Sequence, residues 1–447
     1  MDRTTLAFIC ALVSFFILLI FEENVSPYVV VEFLFGTPEN EFINFQTITL
    51  IFGIMVISTI CTETGLFQYL AFKMIQLSKG QSKKVLIVIG VLTFFISTIL
   101  EDTITAIILI PLMITVCRTL KLPPAPYVIS QAIIIKLGAT MLPISSVPSI
   151  MITTAQEITF WEYFRMAGSI SLVTMLFSVG LLLFVFRSEL RVDKPEGLAG
   201  FLEYDAWVFV KDRKMMLISL SIFISTIIGF IFIPSSAMRP NTIACIGAGI
   251  LLVFNYRKAG EVLKKIDYQL IGYLLGIFVI TGCLEYVGVI DLIGQALNSL
   301  GITNLGIAFL VLLWIGAICS AFMDNIPITN LFIALTNVLL GEKGTATAKF
   351  GSTGLALGII WGDNLSPFGD TILVLAIARK NNATITPLEF FKVGLPVTLI
   401  QLTGVSMIIL LIFSPLVGII FIGVCGIIGG VIFFILRRRS KKKNKSV

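Results

Sequence analysis

The stretch Ile359–Thr371, IIWGDNLSPFGDT, limits what this chain can fold into more than any other. It lies inside the apolar segment from Phe350 to Ala378, yet it carries Asp363, Asn364, Ser366, Asp370 and Thr371, with Gly362, Pro367 and Gly369 among them. Two carboxylates and helix breakers so close together do not make a lipid-facing helix, because unpaired charge and unsatisfied backbone are each costly in hydrocarbon. The chain must unwind there around a polar cavity, where half-helix termini and released carbonyls can hold an ion.

The surrounding composition requires a membrane. Of 447 residues, 57% are hydrophobic and 13% charged, and the mean hydropathy is +1.01. These values exclude a soluble α/β enzyme and imply an all-α polytopic membrane protein. The net charge of +6 does not indicate nucleic acid, because the basic residues lie in short loops and in the tail RRRSKKKNK from Arg437 to Lys445. The chain has no histidine, so proton chemistry must use carboxylates or lysine. Its seven cysteines are dispersed without a CxxC pair and read as buried thiols, not disulfides or zinc ligands. No GxxxxGK[ST] loop is present, and no Tyr-Asp plus Gly-x-Gly-Asp pair falls in spans, so neither ATP hydrolysis nor intramembrane proteolysis is expected. Nor is any cofactor expected.

Positive-inside counting orders the spans. The run Leu6–Phe21 reads as a retained first span, and Glu22–Gln46, with five glutamates and no Lys or Arg, as an external loop. The next span, Thr47–Thr62, leads to an inside segment with Lys73, Lys79, Lys83 and Lys84. Val85–Cys117 then starts and ends inside with Glu101 and Asp102 near its centre. Arms of about 14 to 16 residues fall short of the roughly 20 that a straight span needs, so this is a re-entrant hairpin. Val128–Ala155 is interrupted at Pro143–Pro148, and after Gly168–Phe186 the mixed-charge segment Arg187–Lys214 is the clear linker. Met215–Ile233, Thr242–Phe254 and Leu270–Leu284 follow as spans. The stretch from Ile307 to Leu340 is a second hairpin entering from the opposite face, with Asp324, Asn325 and Pro327 at its middle, Asp324 and Asn325 lying in the break. Phe350–Ala378 is the second interrupted helix, and Val393–Phe413 and Leu416–Leu436 close the chain before the basic tail.

The halves repeat. Gly53 to Glu63 (GIMVISTICTE) resembles Gly276 to Glu285 (GIFVITGCLE), and a serine precedes an acid by four in Ser97–Glu101 and Ser320–Asp324. The acid-to-proline intervals, Glu101–Pro143 and Asp324–Pro367, are 42 and 43 residues. Charge counting gives the halves opposite directions, which makes this an inverted-topology repeat with two opposed re-entrant hairpins and two broken helices, about 10–12 membrane segments in all. The expected divisions are 1–187 (core 46–187) and 242–413 for the repeats, 188–241 for a cytoplasmic linker plus connecting span, and 414–447 for an extra span and tail.

Chemistry-bearing residues gather at the tips and breaks. The first tip reads STILEDTIT from Ser97, with Thr105 four after Glu101 and with Asp102 and Thr103 suited to cap the returning arm. The second reads SAFMDNIPIT from Ser320 to Thr329, where Pro327 fits the first turn of a new helix and disfavours helix at Ile326. At both tips the acids could serve only as caps. Lys136, inside the apolar run Ala132–Leu142, needs a carboxylate or water. Three readings of it stand: a built-in cation in place of a bound metal ion, a proton-coupling site, or a snorkelling side chain.

The motifs DNIPIT at Asp324, GDNLSPFGDT at Gly362 and TPLEFFKVGLPVTL from Thr386 resemble the ion transporter superfamily, in particular the arsenite permease and NhaD-type sodium/proton antiporter branch of the citrate-transporter-like group. The resemblance spans about Gln46 to Phe413. It implies a mobile transport domain carried against a dimeric scaffold, hence a homodimer. It also implies that Glu101, Asp102, Asp324, Asn325, Asp363, Asn364, Ser366 and Asp370 line the site. The first half departs from the family pattern: Lys136 and ISSVPS (Ile144 to Ser149) stand where relatives tend to have an asparagine, glycines and a GDPPN-like stretch, and Glu-Asp stands for the usual Asp-Asn.

The expected ion- and substrate-binding set is therefore Ser97, Glu101, Asp102, Thr105, Lys136, Ser145, Ser146, Ser149, Ser320, Asp324, Asn325, Thr329, Asp363, Asn364, Ser366, Asp370 and Thr371, with sodium expected at Asp324, Asn325, Asp363 and Asn364. The expected function is a secondary active, elevator-type transporter in the plasma membrane, moving a small inorganic ion or anion coupled to a proton or sodium gradient. Sodium/proton antiport and arsenite or oxyanion efflux are the leading alternatives, ahead of di/tricarboxylate transport or a channel. Its partners are the transported ion, coupling H+ or Na+ and lipid. Both termini should be cytoplasmic: a cysteine introduced by Glu32→Cys should react with an impermeant thiol reagent added outside, and cysteines placed in the tail should not.

Overall fold

The structure is a computed structural model that describes residues 3–22, 25–38, 41–190, 204–298, 304–340, 344–367 and 371–423. Among them every regular element is helical. The first half comprises α1 (Arg3–Phe21), α2 (Val29–Phe35), α3 (Ile43–Glu63), α4 (Leu66–Leu77), α5 (Ser82–Ile99), α6 (Asp102–Thr119), α7 (Pro124–Gly138), α8 (Val147–Ala155), α9 (Phe160–Tyr163) and α10 (Ser169–Val185). After α11 (Arg213–Phe232), the second half comprises α12 (Pro240–Phe254), α13 (Ala259–Leu263), α14 (Tyr268–Tyr286), α15 (Val289–Asn298), α16 (Leu305–Ser320), α17 (Asn325–Leu340), α18 (Ala346–Gly362), α19 (Thr371–Lys380) and α20 (Pro387–Phe413). The expected last span and tail lie largely outside the described residues, as does the middle of the linker.

Eight of the described helices are long and apolar enough to cross a membrane, or nine if Pro240–Phe254 and Tyr256–Leu263, bent by 92°, count as one broken span. Their outer faces suit lipid. Phe16, Ile20, Phe177 and Phe184 are exposed, whereas Ser97, Gln131, Thr140, Ser171 and Asp363 are buried. In a hydrocarbon solvent apolar side chains lose nothing by facing outward, and polar ones must pair inside.

Both hairpins form. The arms α5 and α6 are 18 residues each, against about 14 to 16 expected, because the helices take in Ser82–Lys84 at one end and Arg118–Thr119 at the other. At about 27 Å each arm reaches deep, and the turn is only Leu100 and Glu101. The second hairpin turns at Ala321–Asp324. Helix resumes at Asn325 and includes Ile326, where Pro327 was expected to disfavour it, because Asp324 Oδ1 accepts the Ile326 N–H at 3.0 Å and starts the helix early. Asn325 therefore sits in the first turn of α17 and not in the break. Pro327 is within that first turn, where its missing N–H costs nothing.

The same sequence of contacts runs through both halves. α5 packs on α7 as α16 packs on α18, and α6 on α19 as α17 on α8. At the far ends of these arms the Arg118 guanidinium donates to the Asn381 carbonyl, and Gln156 Nε2 donates to Thr336 Oγ1 at 3.0 Å. A further repeat is visible only once the helices are aligned: ITFWEYFRM from Ile158 and ITPLEFFKV from Ile385. In each, the threonine and a glutamate three residues later form a reciprocal cap, at Thr159 with Glu162 and at Thr386 with Glu389.

The halves are interleaved. α1 packs on α14 of the other half, and α12 packs on α3. Backbones come close at the repeated glycines: a Cβ on Gly53 would meet the Ala244 backbone at 2.9 Å, and one on Gly276 the Ala7 backbone at 3.0 Å. Gly276→Val should therefore push α1 off α14 and cost about 1–3 kcal/mol, read as a lower melting temperature of the purified protein. Gly180→Val, at a position with nothing within 4 Å, should leave the melting temperature unchanged.

Candidate ion-binding site

Two helix breaks meet at the centre of the molecule. α7 ends at Gly138 and α18 at Gly362. An added Cβ on Gly138 would collide with the Phe94 carbonyl oxygen on α5, and one on Gly362 would lie 2.5 Å from that of Ala317 on α16. Each broken helix thus abuts the first arm of its own hairpin at a glycine. Trp361 Nε1 donates to Thr140 Oγ1 at 2.9 Å across the two breaks, and Thr140 shares a 2.7 Å hydrogen bond with Ser171.

Asp363 follows Gly362 directly, caps the carbonyl end of α18 and is 1% exposed. That end of a helix carries partial negative charge, so an anion there is doubly unfavourable without donors. The donors come from two places. Asn325 Nδ2 donates to Asp363 Oδ2 at 2.6 Å, and Ser320 Oγ donates to Asp363 Oδ1 at 3.2 Å and to Asn325 Oδ1 at 2.6 Å. From the other half, Lys136 Nζ lies 2.8 Å from Asp363 Oδ2 and 2.6 Å from Asp102 Oδ2. Lys136 is 5% exposed, which removes the snorkelling reading. It is in the last turn of α7 and Asp102 in the first turn of α6, each at the helix end that favours its sign.

A cavity of 500 Å³ opens in front of Asp363, walled also by Arg3, Thr103, Phe322, Asp324 and Asn325. Behind it, Asp102, Lys136 and Thr371 line a space of only 20 Å³. Asp324 lies apart from the buried cluster: its carboxylate is 3.5 Å from the Arg3 guanidinium, which also sits 5.5 Å above the Tyr273 ring. Arg3 gave no signal in the sequence, because nothing local marks a residue at the start of α1 as a wall of a distant cavity.

The remaining expected residues divide by what they bond. Asn364 donates to the Ile133 carbonyl at 3.4 Å, and its Oδ1 is buried with no hydrogen-bond partner among the described residues, a carbonyl-type oxygen of the sort that would accept a cation. Thr371 Oγ1 donates to the Asp363 carbonyl at 3.3 Å, and Ser366 Oγ to that of Ala321. Ser97 donates to the Ile135 carbonyl at 2.7 Å, Thr105 to that of Glu101 at 3.1 Å and Thr329 to that of Asn325 at 2.6 Å. Of these, Ser366 and Thr371 bond carbonyls at the second tip and break, whereas the Ile135 and Glu101 carbonyls also accept the Ala139 and Thr105 N–H, each at 2.9 Å. Ser145 bonds the Ala139 and Leu142 carbonyls, and Ser146 and Ser149 bond each other, Ser149 also pairing with Tyr163 at 2.8 Å. Glu101 is half-buried at the turn, and its neighbour Asp102 is the acid that meets Lys136. Asp370 lies outside the described residues. Among the described residues no group of three or more His, Cys, Asp or Glu side chains could hold a metal ion. Ligation of sodium at the second break would therefore draw on one carboxylate, Asp363, with amide oxygens.

The sequence model of the family described as citrate transporter matches residues 1–356. The chain is 23% identical to an uncharacterised transporter of Mycobacterium tuberculosis, over 80% of this chain and 84% of that protein. It is 26% identical to the magnetosome protein MamN of Magnetospirillum gryphiswaldense, over 75% of this chain and 76% of that one. Among solved structures, the Alcanivorax borkumensis YdaH transporter aligns with a TM-score of 0.59 over 92% of this chain and 97% of that chain, at 13% identity, a likeness of fold.

The network around Asp363 makes its own test. Asn325→Ala removes a 2.6 Å hydrogen bond to a buried carboxylate and should cost about 1.5–3 kcal/mol. Thermal melting of the purified variant measures it, and Thr329→Val, which loses only a bond to backbone, should cost less.

Proposed function

Because the chain belongs to the citrate transporter family, we propose that it is a secondary active carrier moving a small inorganic ion across the membrane by alternating access, coupled to a proton or sodium gradient. The family and the relatives are transporters and not enzymes, and the chain is a multi-pass membrane protein. The observation that carries the rest is Asp363, buried at a helix break between two halves and reached by a 500 Å³ cavity.

Charge selects the cargo class. Asp102, Lys136 and Asp363 carry one formal negative charge between them, and Asp324 with Arg3 adds none. A citrate-like anion would need net positive potential in such a site, and neutral arsenite would need no charge at all. A cation or proton matches best. Sodium/proton antiport is therefore the leading specific reading, with arsenite or oxyanion efflux as its rival from the same branch and a dicarboxylate carrier or a channel behind both.

In this reading the two repeats have opposite orientation, with both termini in the cytoplasm and the protein in the plasma membrane. The hairpins and broken helices move as one body past a scaffold that includes α1, α3, α12 and α14, in a homodimer. The wall of the cavity includes Arg3, at the start of α1, so in this conformation Asp363 faces the side on which α1 begins. The linker and connecting span, 188–241, would join the repeats, and 414–447 would add the last span and tail.

Proteoliposomes loaded with sodium, lithium, arsenite or dicarboxylates under an imposed pH gradient provide the experiment. Counterflow of a cation, abolished by Asp363→Asn with the variant still folded and monodisperse, is the expected result. Asp324→Asn should reduce transport less, because that carboxylate faces Arg3 and not the buried cluster. A wild-type rate in Asp363→Asn would remove Asp363 from the transport site, and uncoupled conductance would make the protein a channel.

A further inference from the structure

The two breaks are alike in backbone but opposite in charge. With Gly138 and Gly362 aligned by their contacts with the hairpins, Lys136 precedes its glycine by two and Ile360 occupies the matching place; Asp363 follows its glycine and Ala139 matches it. One half therefore contributes a cation without an acid in its break, and the other an acid without a cation. Lys136 meets Asp102 within its own half, whereas Asp363 takes its cation from the other half, and without it would be a buried uncompensated charge.

The geometry points to Lys136 as a tethered cation. Its ammonium occupies a cation position shared by the two repeats, between Asp102 of the first hairpin and Asp363 of the second break, so that this position is filled by the chain itself and takes no ion from solution. Distances of 2.6 and 2.8 Å to two carboxylates fit an ammonium donating to both. The adjoining space of 20 Å³ has no room for a second, hydrated ion beside it. The exchangeable ion then meets Asp363 only from the large cavity, which Asn325 also lines, and this gives one exchangeable position in this conformation. This deepens the carrier reading and rests on it for the identity of the site, but the ammonium's role is tested without transport.

Lys136→Ala deletes the equivalent of a propylammonium ion, and Lys136→Met removes the charge while keeping much of the volume. Purified wild type, both single variants and the double variant Lys136→Met with Asp102→Asn would be melted in choline buffer, alone and with propylammonium, propanol or sodium. Both single variants should melt several degrees below wild type, since two carboxylates then face each other. Propylammonium should restore at least half of the loss in Lys136→Ala and propanol none, with no response of the wild type to the amine. Sodium should raise the melting temperature of the single variants more than that of wild type, because it can now enter the vacated position. The double variant should regain part of the loss seen in Lys136→Met.

Single variants that melt like wild type overturn the proposal. So does a loss relieved neither by propylammonium nor by Asp102→Asn, which would mean that Lys136 contributes packing alone. If Lys136→Ala does not fold, the comparison of Lys136→Met with the double variant decides: no recovery in the double variant overturns it. Absence of cation counterflow in the wild type would overturn the carrier reading while leaving these melting results to stand or fall independently.

Discussion

A carboxylate at the carbonyl end of a buried helix is the constraint on which this structure depends. Asp363 is placed where the α18 dipole repels it and where little of it meets solvent. It is tolerable only because three side chains from three other helices converge on it: Ser320, Asn325 and Lys136. The second hairpin must then reach the second break, and the first break must lie against both. The meeting of the four interrupted elements is a consequence of satisfying one charge.

Such an arrangement is a poor way to gain stability. Replacing a buried ion pair by well-packed apolar groups is often neutral or better, whereas removing one partner is costly. In hydrocarbon, where polar residues are expensive in any position, keeping Asp102, Lys136 and Asp363 at the centre is more easily explained by what the charges handle than by what they hold. The hydroxyls around them serve a different end. Ser97, Ser145, Ser366 and Thr371 bond carbonyls at or beside the broken helices, so the irregular backbone can persist at depth without water.

The repeats supply the frame and their divergence supplies the chemistry. Ser97 and Ser320 occupy equivalent places, yet the first bonds backbone and the second bonds the acid. The tips differ likewise: Asp102 meets a lysine, and Asn325 meets an aspartate. Two copies of one scaffold thus become halves of a single charged cluster, in which the acid of the second copy is met by the lysine of the first.

Much of this was determined by the sequence alone. Hydropathy, the broken apolar segments, the placement of Glu101, Asp102, Asp324 and Asn325 at hairpin tips, and the spacing of the two halves are local or periodic properties, and an apolar solvent leaves few folds that satisfy them. The requirement that Lys136 find a carboxylate was equally legible, since a lone charge at that depth cannot stand. Its second partner was not. That Asp363 of the other half shares the ammonium, that Asp324 turns to Arg3, and that Asn325 starts a helix instead of lying in the break depend on how two interleaved halves dock. Docking is decided by close backbone contacts at glycines such as Gly53 against Ala244 and Gly276 against Ala7, and by bonds between distant segments such as Trp361 to Thr140. Sequence spacing carries the periodicity of each helix but not the relative position of two helices from different halves, and only the tertiary structure brings the opposite charges together.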